Sequence, residues 1–159
     1  MEELSAGPSL VEPTGAFLEA EARMTAGAKK VALMCLGLAV QRFGQELEEQ
    51  QEVLGAFADV AMETYALESA VIRTQKRAEQ LGEEASRLQE AAVRVFAQEA
   101  LDRIECSARR LLAAVGEGDM LRTYLAALKR FTRRETPDTV TLRRQVAAAV
   151  LDKGGYPLS

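Results

Sequence analysis

Histidine is absent from this chain, and so is tryptophan. Without an imidazole the usual proton shuttle at neutral pH and the commonest metal ligand are both missing. That excludes zinc sites of histidine or mixed type, Ser-His-Asp triads and Cys-His dyads. It also excludes the carboxylate-bridged di-iron bundle, which needs Glu-x-x-His on two helices. Thiols are scarce: Cys35 and Cys106 are the two cysteines. Both fall within helical patterns, and the expectation is a reduced, buried pair of the ordinary cytosolic kind. Long apolar runs are lacking too. The longest, Val31 to Val40, is ten residues, about half of the ~20 that a bilayer span requires. It reads as the buried centre of a helix. The acidic start, Glu2 and Glu3, is the reverse of a secretory leader, so the expected location is cytoplasmic. A formal charge of -4 gives no global attraction to nucleic acid.

Aromatic residues make up only 5%, while Ala, Leu, Glu, Arg and Gln dominate. Those side chains keep most of their rotamer freedom in a helix, whereas aromatic and β-branched ones lose it. The expected class is all-α. With 159 residues the chain is long enough for one domain with a core of its own. Gly7-Pro8 and Pro13-Thr14-Gly15 break any helix, so residues 1–15 read as a linker or arm and residues 16–159 as a single helical domain.

Spacing of apolar residues then divides the domain. A first helix is expected from Ala16 to Phe43 on the stripe Phe17, Met24, Ala28, Val31, Cys35 and Leu38. Gly27 and Gly37 inside it each cost about 1 kcal/mol against alanine, which close helix contact would explain and so would chance. Gly44 is the stop. A second helix, Leu47 to Leu81, carries Leu54, Phe57, Ala58, Ala61, Met62, Tyr65, Ser69 and Ile72 on one face; its polar end from Arg73 to Glu84 is expected to project from the core. Gly82 closes it. Ser86 and Gln89 have capping-box spacing for a third helix, whose stripe is Leu88, Ala92, Val95, Phe96, Ile104, Ala108, Leu111 and Val115. Gly116-Glu117-Gly118 is a turn between helices, too short for a phosphate loop and without the Lys-Ser/Thr that should follow. Asp119 is the expected N-cap of a fourth helix bearing Leu121, Tyr124, Leu125, Leu128 and Phe131. Thr136-Pro137 opens a fifth, from Asp138 to Lys153. The result is an antiparallel bundle of about four to five helices, with Leu54, Phe57, Tyr65, Val95, Phe96, Ile104, Leu125 and Val146 in one core.

An ordered series of segments resembles a known family. Gln50-Gln51-Glu52-Val53-Leu54, Ala58-Asp59, and Tyr65-Ala66-Leu67-Glu68-Ser69-Ala70 with Arg73 are similar to the C-terminal helical extension of acyl-CoA dehydrogenases, of the very-long-chain type and its bacterial relatives. Lys29-Lys30-Val31-Ala32-Leu33 and Gly37-Leu38-Ala39 extend the likeness upstream. Arg143-Arg144 and Gly155-Tyr156-Pro157-Leu158 extend it downstream. It covers about residues 25–158, and residues 1–24 are similar to the connector that follows the dehydrogenase body. The resemblance implies that the flavin pocket, the acyl-CoA cleft and the catalytic glutamate belong to an upstream body that this chain is too short to hold. It therefore carries over no catalytic, cofactor-binding or metal-binding residue, and FAD is expected only in the full-length family. The implied partner is a dehydrogenase body, in cis or in trans, with self-association of the isolated chain.

A few residues could still carry chemistry or contacts. Asp59, Glu63 and Glu68 are carboxylates on the second helix, and one with a raised pKa could act as a base; pairing, with Glu68 beside Arg73, is the structural alternative. Asp59 and Arg73 stand among small and apolar neighbours and would need partners if buried. Lys129, Arg130, Arg133, Arg134, Arg143 and Arg144 form the one basic cluster, which reads as a solvated face, a contact with an acidic partner surface, or a site for phosphates of a CoA ester, lipid headgroups or nucleic acid. The tail from Gly154 to Leu158 is a second docking candidate. Apart from an accessory domain, the sequence allows a free-standing helical adaptor or a membrane-surface module, although no helix shows the basic polar face of an interfacial anchor.

Overall fold

The computed structural model describes residues 15–157; the arm expected at residues 1–15 lies almost wholly outside that range, as does Leu158. Among the described residues there are five α-helices and no strands. They are α1 (Glu19–Phe43), α2 (Gln51–Leu81), α3 (Arg87–Val115), α4 (Gly118–Phe131) and α5 (Thr139–Lys153). Short 3-10 segments, Gly44–Glu49 and Glu84–Ser86, lead into α2 and α3. The three long helices pack on one another; α4 lies against α1 and α3, and α5 lies against α3.

The centre of the bundle is built mainly from small and medium side chains. Helix α1 contributes Met24, Ala28, Val31, Cys35 and Ala39, close to the expected stripe. Helix α3 contributes Ala97, Ala100, Leu101, Ile104, Ala108, Leu111 and Leu112, all nearly or fully buried. Its second half follows the expected face, and its first half is rotated onto Val93 and Ala97 instead of Ala92 and Val95. Threonines share this core because their hydroxyls are satisfied locally. Thr25, Thr64 and Thr132 donate to the carbonyls of Glu21, Val60 and Leu128, each one turn back.

Helix α2 corrects the expectation most. Its buried residues are Val53, Ala56, Val60, Thr64, Leu67, Val71, Thr74 and Ala78, not the stripe through Met62 and Tyr65. Buried Thr74 and Ala78 also show that the polar end is packed as far as Ala78. Of the eight residues expected to share one core, Ile104 is buried. Phe57, Phe96 and Leu125 pack partly buried against the core. Leu54, Val95 and Val146 are half-buried, and Tyr65 is 74% exposed.

Helix starts differ from expectation for local reasons. The first helix begins at Glu19 because Leu18 adopts the left-handed conformation, φ 57°. That costs about 1–2 kcal/mol, but it turns the Leu18 side chain inside (2% exposed), where burial contributes about 1.5–3 kcal/mol. Ser86 makes no capping bond; its hydroxyl donates to Gly82 O, so the expected capping box does not form. Asp119 sits in the first turn of α4, paired with Arg122, and Glu117 takes the cap position. For α5 the cap is Asp138, which accepts from the backbone N–H of Val140 and Thr141.

Candidate functional site

The carboxylates of α2 are engaged by neighbouring helices. Glu63 takes a two-pronged contact from Arg103 of α3, at 2.6 Å from Nε and 2.9 Å from Nη2. This pairing holds the Arg103 guanidinium above its ordinary pKa. Glu68 pairs with Lys29 of α1 rather than with Arg73. Asp59 accepts from the Ser107 hydroxyl at 3.4 Å. Both Asp59 and Arg73 are exposed, so neither faces the desolvation cost that made them candidates. Asp59, Met62, Glu63, Arg103, Cys106, Ser107 and Arg110 line an open cleft of about 270 Å³ between α2 and α3. Its acids are already matched by a cation or a hydroxyl. A second open cleft, about 420 Å³, lies at the end of the bundle between Leu38, Arg42, Val115 and Tyr124. Among the described residues no group of three or more Cys, Asp or Glu is arranged to hold a metal. No described helix is long and apolar enough to cross a membrane.

The two thiols part company. Cys35 is buried, and burial pushes its pKa up to about 11. Cys106 is exposed, against the expectation of a buried pair, with Arg110 Nη2 3.4 Å from its sulfur. In native protein at neutral pH, Cys106 should react with a thiol reagent in one fast step. Cys35 should react only on unfolding, because the thiolate is the nucleophile and its formation inside the core is disfavoured. Two equally fast thiols in a titration of native protein would contradict this placement.

One member of the basic cluster is bound inward. Arg134 has a side chain only 15% exposed. It contacts Asp102, lies 2.6 Å from Glu105 and 3.1 Å from Gln98 Oε1, and donates to Thr132 O. Gln98 in turn donates to Glu135 O. The segment between α4 and α5 is thus fastened to α3, and Arg143 adds a pair with Glu99 from α5. Lys129, Arg133 and Arg144 are exposed. In the tail, Tyr156 is 70% exposed. One charged residue that the sequence reading passed over is Glu21, 5% exposed, which faces Arg94 at 3.8 Å while Arg94 also pairs with Glu90 at 2.8 Å. Its signal was available: residue 21 is in phase with buried positions 24, 28 and 31.

Part of what α1 and α2 leave open is apolar. On α1, Leu33 (71%), Leu36 (39%) and Val40 (49%) are exposed, and on α2 so are Met62 (61%), Tyr65 (74%) and Ile72 (43%). The run Val31 to Val40, expected to be the buried centre of a helix, is buried on one side alone. Because α1 and α2 are joined by a short connection they run antiparallel. Counting from the Lys29–Glu68 pair places Leu33 level with Thr64, Leu36 with Ala61 and Val40 with Phe57. The exposed residues of the two helices therefore lie side by side. At 100° per residue, Ala58, Met62, Tyr65 and Ser69 occupy the side of α2 opposite Val60, Leu67 and Val71.

A five-helix bundle with this segment order has known counterparts. The family model described as acyl-CoA dehydrogenase, C-terminal domain, matches residues 27–130, and the chain belongs to that family. A probable acyl-CoA dehydrogenase of Bacillus subtilis (strain 168) is 37% identical over 145 residues, spanning 91% of this chain and 24% of the relative. The crystal structure of an acyl-CoA dehydrogenase from Bacillus anthracis, complexed with FAD, superposes with a TM-score of 0.87 at 38% identity, over 89% of this chain and 24% of that one. The chain spans about a quarter of the length of these relatives.

Proposed function

We propose that this chain is a non-catalytic accessory domain of a flavin-dependent acyl-CoA dehydrogenase, one that packs on the dehydrogenase body and shapes its oligomer. The observation that carries this reading is the match to the family's C-terminal domain, within relatives of which about three quarters lies elsewhere. The residues agree with it. There is no histidine, the best-placed acid, Glu63, is held at both oxygens by Arg103, and the clefts are open and shallow. On this reading the chain supplies no catalytic, flavin-binding or metal-binding residue, acts in the cytoplasm, and leaves oxidation of the acyl-CoA to the body.

The test has two parts. Purified chain should be colourless and should not oxidise acyl-CoA esters when an electron acceptor is present. It should also co-elute from size-exclusion chromatography with a dehydrogenase body, such as the Bacillus subtilis relative lacking its last quarter. Stoichiometric flavin retained through gel filtration would refute the non-catalytic half, and failure to engage any body would refute the accessory half.

A further inference from the structure

We propose that the outer face of α1 and α2, centred on Leu33, Leu36, Val40, Ala58, Met62 and Tyr65, is the surface that docks on an apolar region of the dehydrogenase body. This assignment rests on the accessory-domain reading and adds which face does the docking.

Three observations select it. First, α1 is apolar on both sides between Val31 and Val40, and α2 has an apolar ridge opposite its buried one. A helix that is hydrophobic all round is ordinarily buried all round, yet among the described residues no element covers the outer sides. Single exposed apolar residues are ordinary, but a patch two helices wide is the mark of an interaction surface. Second, the glycines differ. At Gly27 an added Cβ would lie 2.1 Å from Phe131 O, so the close approach of α4 accounts for it. At Gly37 an added Cβ would meet nothing within 4 Å. Gly37 lies between Leu36 and Val40 on the open side of α1, and the same holds for Gly55 on α2, one turn before Ala58. A helix-interior glycine with no neighbour among the described residues costs stability for no gain within them; a small residue where a partner comes close is what an apolar interface would use. Third, the face carries balanced charge. Lys29 and Glu68 neutralise one another at its edge and Glu63 is turned aside to Arg103. The exposed Lys30 and Asp59, three residues from Leu33 and Met62 respectively, are opposite in sign, so the patch offers no net positive charge to phosphate, nucleic acid or an anionic membrane. The complement is an uncharged protein surface.

A second copy of the chain could cover such a face, but the body is the better occupant. In the relatives about three quarters of the same polypeptide lies outside the matched segment. A tethered partner is present at an effective concentration of order millimolar, which a free second copy does not match. In the basic cluster, another docking candidate, Arg134 and Arg143 are already paired with acids of α3, and the exposed remainder would call for an acidic partner rather than an apolar one.

Hydroxyl-radical footprinting reads this directly, because Met62 and Tyr65 are both reactive and Met120 and Tyr156, also exposed, serve as internal controls on other surfaces. The chain is compared alone, dilute and monomeric by light scattering, and in place of the last quarter of the Bacillus subtilis relative; the same probes are read with the body added in trans, so that a chimera that fails to fold does not remove the test. Oxidation of Met62 and Tyr65 should fall severalfold with the body present, and that of Met120 and Tyr156 should not. Combined Met62→Glu and Tyr65→Glu should weaken binding in trans by about tenfold or more, with the helical circular dichroism of the chain unchanged. Protection of Met120 and Tyr156 instead would overturn the face while leaving the accessory reading standing. Protection of Met62 and Tyr65 only in concentrated chain alone would assign the face to a second copy and overturn the proposal. No protection anywhere and no binding would remove the accessory reading itself.

Discussion

Leu67→Ala is expected to destabilise the chain by about 2–5 kcal/mol, whereas Tyr65→Ala, two residues away, should change stability by about 0.5 kcal/mol or less. The contrast follows from rotation alone. Residues two apart on a helix point about 200° from each other, and here one is fully buried and the other 74% exposed. Leu67 fills space between α2 and its two long neighbours, and its loss leaves a cavity whose lining loses contacts without regaining water. Tyr65 has little to lose in the isolated chain. Chemical denaturation of the two variants decides the matter, since midpoint shifts at constant slope report stability. A larger shift for Tyr65→Ala would mean that the two faces of α2 are exchanged.

That exchange is the error a reading of the sequence makes, and its cause is physical. Helix α2 carries two apolar faces, one of Val, Ala, Thr and Leu at 53, 56, 60, 64, 67 and 71, the other of bulkier side chains at 57, 62, 65 and 72. Choosing the bulkier face assumes that the core of this domain takes the largest residues. Three long helices packed on one another instead favour alanine, valine and threonine between them, with the threonine hydroxyls returned to their own backbone. The buried stripe of α1 is legible because four of its positions, Met24, Ala28, Val31 and Cys35, are also the periodic ones. The all-α class and the Gly-marked breaks were legible because composition and punctuation act locally. The ion pairs were not. Arg134 reaches Asp102 and Glu105, three residues apart on another helix, and no periodicity within α4 or α5 encodes that reach. The resemblance to the dehydrogenase extension was legible as an ordered series of segments, and it held across most of the chain.

Gly27→Ala should destabilise the domain, although alanine is the better helix former by about 1 kcal/mol. The new methyl would be placed 2.1 Å from Phe131 O and 3.2 Å from its carbonyl carbon. The obstacle is backbone, so no rotamer change relieves it. To restore van der Waals separation α1 and the end of α4 must part by roughly an ångström, and what lies beyond Phe131 resists. Thr132 is buried and closes α4 through its N–H and hydroxyl on Leu128 O, and two residues later Arg134 is tied to α3. Overpacking of this kind costs about 1–3 kcal/mol and occasionally more, enough to outweigh the propensity gain. Gly37→Ala supplies the control, because its Cβ meets nothing within 4 Å and the propensity gain stands alone. Thermal unfolding should therefore move in opposite directions for the two variants, down for Gly27→Ala and up for Gly37→Ala. Equal upward shifts would show that α1 and α4 do not approach at Gly27, and the seat of α4 on the bundle would need to be redrawn.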